Sequence, residues 1–332
     1  MDTPPLTTPA TPAYRDRHTG LIVFGIMEII MGGFCLLMVP LTVFGQVMTA
    51  KKNGAEFSLA LATPTILIFL AMATGLIWLG IGSIQARRWA RALLLCFGWL
   101  GLGIGLVSLV VVVASLGSMD ELMRQQGQQL PPGAVAVAKF FTVATVLFIY
   151  VLIPGALILF YRSPHVKLTC ENRDPVARWT DLCPLPVLAM CILQVYGAGC
   201  LLFIPGFGAV MPLAGFMVTG WPARLLWFGF AGFSIYAARG FYRQIPRVWL
   251  IYTVVVVGFG LSSVLTFLRV DLLEYYRTVG LPEWQIKQMA ANPLMKGNFI
   301  VGLSALSMTL FVGFLLYLRR YFSQGSKPAD LN

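Results

Sequence analysis

Long apolar runs alternate with short polar breaks along most of the chain. Eight runs stand out, at roughly 20–47, 63–85, 92–116, 140–161, 185–209, 221–239, 248–269 and 298–319. A helix needs about 20 apolar residues to cross ~30 Å of hydrocarbon, and the runs match that length. They are far too long for barrel strands, and in lipid every backbone group must be paired within its own segment. The pattern therefore predicts an all-α, polytopic transmembrane helical bundle of eight spans. The sixth run begins near Trp221–Pro222 and contains Arg224. A start near Val210 would embed Arg224 in the membrane, at a large cost. Arg224 is therefore expected at the outer interface, reaching for water.

Composition agrees with the pattern. Of 332 residues, 58% are hydrophobic and only 11% charged, whereas a soluble domain carries about 25% charged residues. The net charge of +11 raises the question of nucleic acid, but the basic residues fall in short clusters between apolar runs, as in membrane loops. The expected partner is thus a lipid bilayer and not nucleic acid. Residues 1–18 are Pro/Thr-rich and read as a disordered cytoplasmic tail, and residues 323–332 as a second tail. No signal peptide is read at the start. Every loop is under about 35 residues, which leaves the bundle as the whole protein.

Charge also predicts orientation. The N-terminus, the 2–3, 4–5 and 6–7 loops and the C-terminus together hold fifteen Lys and Arg, and the other face holds nine. Both termini are then cytoplasmic. The clusters Arg87, Arg88, Arg91 and Arg239, Arg243, Arg247 carry most of this argument.

The chain repeats itself. CLLMVP (35–40) returns as CLLFIP (200–205), LIWLG (76–80) as LLWFG (225–229), and ELMRQQG (121–127) as EYYRTVG (274–280), while Lys139 is echoed by Lys296. The anchors keep their order, which predicts a duplicated four-helix unit: membrane repeat 1 at 19–163, a cytoplasmic linker at 164–184 and membrane repeat 2 at 185–322. Four helices return the chain to its starting side, so the copies would be parallel, about an axis along the membrane normal.

The repeated residues suggest roles. Pro40 and Pro205 each remove a backbone donor and are read as helix kinks, either fixed bends or hinges. Glu121, Arg124 and Gly127, like Glu274, Arg277 and Gly280, read as an outer-face capping motif. Glu and Arg sit one turn apart and Gly ends the helix in a left-handed conformation. A structural end-cap and a ligand site both fit. Pro282 suits the start of a small interfacial helix. Gly101 and Gly105, and Gly258 with Gly260, read as packing positions. Trp89, Trp249, Tyr161 and Tyr317 lie near span ends, where an aromatic belt is expected.

Glu28 is the most informative residue. It lies eight residues past Gly20, ~12 Å into the bilayer at 1.5 Å per residue, and shares a face with Gly25 and Gly32. A carboxyl there must face protein or water. In the second copy Cys191, Gln194 and Ala198 repeat the spacing, with Gln194 a loose counterpart of Glu28. One reading is a proton- or cation-linked site at Glu28 and Gln194. The other is a protonated Glu held between packed helices.

Further chemistry is sparse. Six cysteines form no CxxC, so free thiols in a reducing compartment are the reading. His165, Cys170 and Cys183 lack a fourth metal ligand. The two histidines lie in tail or loop, HExxH, GxxxxGK[ST] and GxSxG are missing, and GLGIG (101–105) follows no strand. No cofactor, haem or metal is predicted. The linker YRSPHVKLTCENRDPVARWTDLCPLP (161–186) resembles a segment found in uncharacterised multi-pass bacterial membrane proteins. That resemblance implies a cell-membrane location, specifically a bacterial inner membrane, and no activity. Taken together, these features describe an integral multi-pass membrane protein, in the first place a non-catalytic scaffold or subunit with a homo-oligomeric or membrane-protein partner. The alternative is a small-solute or ion transporter with a polar cavity between the repeats at Glu28 and Gln194. An intramembrane enzyme ranks third.

Overall fold

The computed structural model describes residues 15–52, 59–117, 132–290 and 297–323. The first part of the chain gives α1 (His18–Lys52), α2 (Leu59–Ile84), α3 (Arg88–Ser115), α4 (Pro132–Leu147), a π-helical turn (Phe148–Leu152) and α5 (Ile153–Tyr161). Next comes α6 (Pro164–Arg173) and a 3-10 turn (Trp179–Asp181). The second part runs through α7 (Leu185–Phe203), a 3-10 turn (Ile204–Phe207), β1 (Val210–Leu213), β2 (Phe216–Thr219), α8 (Gly220–Tyr242), α9 (Pro246–Arg269), α10 (Leu272–Val279), α11 (Glu283–Ala290) and α12 (Gly297–Ser323).

Among the described residues seven helices are long and apolar enough to cross a membrane: His18–Lys52, Ala62–Ile84, Arg88–Ser115, Gly133–Tyr161, Leu185–Phe203, Pro246–Arg269 and Val301–Phe322. Their outward faces are apolar. Phe34, Leu37 and Phe44 on α1 are each more than half exposed, and Leu159 on α5 is 78% exposed, a surface suited to lipid rather than water. The expected sixth span, 221–239, falls in α8, but α8 is not apolar enough to stand with the seven. Arg224 and Arg239 both lie within it.

Two boundaries differ from the sequence reading. The expected fifth span, 185–209, ends at Phe203, because the chain turns at Ile204–Phe207 and enters a two-residue hairpin. Ala214 (φ 49°) and Gly215 (φ 90°) form its tip, the positive-φ pair that tight hairpins need. Ser262 and Thr266 of α9 accept the tip N–H groups at 2.6 and 3.0 Å, so this irregular backbone is satisfied by protein. The hairpin is the one sheet among the described residues of an otherwise helical chain. Helix α8 then starts at Gly220, which places Arg224 near its beginning, over the Trp221 ring at 5.1 Å. The fourth span starts earlier than the expected 140, with Pro132 as the first residue of α4, a position proline favours.

Helices pair as antiparallel neighbours. A Cβ on Gly25 would lie 2.6 Å from the Gly80 carbonyl, and one on Gly80 would lie 2.6 Å from that of Gly25. Both glycines are therefore needed for α1 and α2 to touch backbone to backbone. On α3, Gly105 meets the Tyr150 carbonyl in the same manner, while Gly98 and Gly101 face the side chains of Ile158 and Pro154. Pro154 has no N–H to give Tyr150, and the π turn precedes it. In the second part, Cys191 Sγ reaches the Ala238 carbonyl across α7–α8, and Trp249 Nε1 donates to the Leu315 carbonyl across α9–α12 at 2.9 Å. Trp249 and Tyr161 are thus buried, correcting their assignment to an aromatic belt. Each is amphipathic and finds its partner inside the bundle.

One turn occurs twice with the same bonds. Ala86 donates to Ser83 and Arg87 to Gly82; Gln244 donates to Phe241 and Ile245 to Gly240. Ala86 and Gln244 sit at φ 52° and 53°, the left-handed closing residue of a Schellman motif. Gly82 packs on Ala90 and Gly240 on Val248, eight residues on in each case. By contrast, LIWLG ends four residues before the end of α2, while LLWFG begins five residues after the start of α8. That sequence anchor does not occupy one structural place. Its resemblance reflects two Leu- and Trp-containing helices and not a shared register.

Candidate functional site

Glu28 lies 1% exposed on α1, on the face that Gly25 and Gly32 press against α2. Tyr161, the last residue of α5, sets its hydroxyl 3.2 Å from Glu28 Oε1 and 2.6 Å from Ser83 Oγ. Ser83 Oγ also lies 2.9 Å from the Leu21 carbonyl, to which it donates. All three side chains are at most 1% exposed. Three contacts thus join Leu21, Ser83, Tyr161 and Glu28. Tyr161 donates to Glu28 Oε1 and Ser83 to the Leu21 carbonyl, and either hydroxyl can donate in the contact between them. Glu28 Oε2 has no hydrogen-bond partner among the described residues.

Gln194 is also buried, at 3% exposure on α7. The Tyr252 phenol of α9 interacts with the Gln194 amide, although no contact of full hydrogen-bond geometry reaches its oxygen or nitrogen among the described residues. No hydrogen bond links it to Glu28. In the shared turn Phe241 stands where Ser83 stands in the first, and it packs edge-on against Phe322 with ring centroids 5.1 Å apart. At this turn the second part thus carries an aromatic pair where the first carries the Ser83–Tyr161 contact.

A cavity of about 440 Å³ lies between α2, α7, the 3-10 turn after α7 and α10. Its walls are almost wholly apolar, and neither Glu28 nor Gln194 lines it. It is therefore not the polar cavity at these two residues that a transport reading anticipates.

At the opposite end of the bundle the linker docks on the α2–α3 turn through Asp174. Arg178 grips this carboxylate with two bonds, Nη2–Oδ1 at 2.9 Å and Nε–Oδ2 at 3.2 Å. Arg88 donates Nε to the Asp174 carbonyl at 2.6 Å, and Arg87 stands 3.9 Å from Oδ1. The hydrogen bonds from Arg178 hold the Asp174 carboxyl below the usual carboxylate range, despite burial. The N-terminal segment joins the same cluster: Arg173 pairs with Asp16 at 3.1 Å, which lowers the Asp16 pKa, and the Arg17 N–H donates to Thr169. Burial pushes the Cys170 thiol on α6 up to about 11, so it is un-ionised at neutral pH. All six cysteines are free. Among the described residues no group of three His, Cys, Asp or Glu side chains converges as a metal site.

The other sequence-marked positions are dispersed. Pro40 lies inside the continuous α1, while Pro205 lies in the 3-10 turn that follows α7. Glu274 and Arg277 belong to α10, which Gly280 closes at φ 88°. Arg277 pairs with Glu283 of α11 at 3.9 Å, so its ion pair is not with the Glu274 expected one turn away. Glu121, Arg124 and Gly127 lie outside the described residues, as does Lys296. Sequence reasoning missed Ser83 and Asp174 and gave Tyr161 to an aromatic belt. A buried carboxyl requires a polar partner, but helix rotation decides which residue supplies it.

The long apolar helices define an all-α, multi-pass membrane protein. No family model, curated protein or solved structure matches the chain, so the reading rests on its own residues.

Proposed function

We propose that this chain is a non-catalytic membrane scaffold or subunit of eight spans, with α8 as the sixth. It is built as two parallel four-helix repeats with both termini on the cytoplasmic side. The observation that carries the functional reading is the closure of the Glu28 chain. The carboxyl is tied through Tyr161 and Ser83 into the α1–α2–α5 contact, and the cavity between the parts is apolar. Hydrogen bonds that end on a backbone carbonyl rigidify a bundle and leave no wet path. The repeat is supported by the twin Schellman turns and by four antiparallel pairs in the same order: α1–α2, α3–α5, α7–α8 and α9–α12.

A second reading is proton- or cation-linked transport. The buried Glu28 Oε2, without a hydrogen-bond partner among the described residues, favours it, since an orphaned polar atom in a membrane protein is a site where a proton, ion or water can enter.

Proteoliposomes carrying a pH-sensitive dye discriminate the two. The scaffold reading expects flux equal to that of empty vesicles, for wild type and for Glu28→Gln alike. Flux present in wild type and abolished by Glu28→Gln would establish transport in its place. Single cysteines at positions 167 and 243, on a background without native cysteines, test the topology. Both should react with an impermeant maleimide from the same side of the membrane.

A further inference from the structure

The cavity between α2 and α7 is a built feature, and its walls identify what fills it. Pro64, Leu67 and Ala71 form one side on α2; Tyr196, Gly199 and Cys200 form the other on α7. Tyr275 and Val279 of α10 close one end. That closure is fixed: Gly208 (φ 100°) has no room for a Cβ because the Val279 carbonyl sits against it. Ala71 on α2 and Gly199 on α7 are the small residues in these two walls. A Cβ on Gly199 would meet no atom within 4 Å, so the helices leave room there and do not interlock.

Two properties set the chemistry of the occupant. Among the described residues no charged side chain lines the cavity, and the polar side-chain groups there are two phenols and one thiol. Ile68, Ala71, Tyr196 and Phe203 at its edge are exposed, so it opens sideways through the apolar belt that faces lipid. Its volume falls within the ~300–1,000 Å³ of small-ligand sites. Helix α10 turns Glu274 and Arg277 away from the apolar lining, which sets the closed end at the water boundary. Water entering such a space would find too few polar partners.

We propose that this cavity binds one hydrocarbon chain of a membrane phospholipid, taken up laterally from the bilayer, with the headgroup near α10. The site spans the seam between the two parts, so the bound chain packs α2 against α7 and α10.

The test is photo-crosslinking in phospholipid nanodiscs with phosphatidylcholine that carries a diazirine in one acyl chain, followed by peptide mapping. Label should concentrate on 64–71 and 196–204. It should fall several-fold at those peptides in Gly199→Leu and Ala71→Phe, which fill the space. Gly229→Leu, at a glycine whose added Cβ also meets nothing, should leave labelling unchanged. Equal melting temperatures confirm that the filled variants fold. If Gly199→Leu does not fold, Ala71→Phe alone decides the matter, and a milder Gly199→Ala should give an intermediate loss. Even labelling along all exposed apolar faces, or labelling untouched by both fillings, would overturn the proposal. So would labelling of these peptides by a diazirine free fatty acid but not by the phospholipid.

Discussion

At the residue scale, the fate of Glu28 depends on one hydroxyl. Removing it with Tyr161→Phe takes a partner from both Glu28 and Ser83 while keeping the ring packed against Phe24 and Phe160. Losing a buried hydrogen-bond partner costs about 1–3 kcal/mol, and unfolding in detergent should show a loss of that size. Glu28→Gln should cost less, because the amide still offers a donor and an acceptor at the same reach. A Tyr161→Phe protein as stable as wild type would mean the phenol does not hold the carboxyl. Gly80 offers a second residue-scale test. Gly80→Val drives a branched side chain into the Gly25 carbonyl, and overpacking of this kind costs about 1–3 kcal/mol or more.

At the element scale, the linker is a docked element and not a loose connection. Asp174 has a folded-state pKa below its ordinary value of 3.8. Its contribution is therefore complete at pH values above 3.8, and it is lost as the pH falls from there through the lower folded value. Cys170 reports on the docking, because it is buried in the linker helix. Its maleimide labelling, measured at neutral pH, should rise several-fold in Asp174→Asn. Undocking in the wild type should begin only below about pH 4, followed by acid quench and proteolysis of the linker. Unchanged Cys170 reactivity in the variant would show that α6 is held by its apolar contacts alone. At this scale the sequence was legible where periodicity and length suffice. The apolar runs became helices, and the Gly25–Glu28–Gly32 face turned inward. It misled at Phe203, where an apolar stretch continues into a hairpin. Apolarity measures burial and does not tell helix from a short strand.

At the scale of the whole molecule, the two parts share a turn but not a site. The Ala86 and Gln244 turns are alike bond for bond, but in the second Phe241 takes the place of Ser83 and packs on Phe322. If the polar trio stabilises only the first part, Tyr161→Phe should weaken α1–α2–α5 protection in hydrogen exchange and leave α9–α12 unchanged. Spread of the effect to α12 would mean that the parts unfold as one unit, through the α3–α7 contact that Cys96 makes with the Leu185 carbonyl.

The sequence by itself determined the solvent around this protein and the helical answer to it. Too much of the chain is apolar to face water, and a backbone in lipid must satisfy its own donors and acceptors. It also determined that Glu28 turns inward, because its neighbours at helical spacing are glycines. Only the tertiary structure decided what Glu28 meets, where the fifth span stops and which walls enclose a cavity. Those outcomes depend on how rods of similar surface rotate and slide against one another. Leucine-rich faces constrain that only weakly, and single contacts such as the Tyr161 hydroxyl or the Gly25–Gly80 approach fix it.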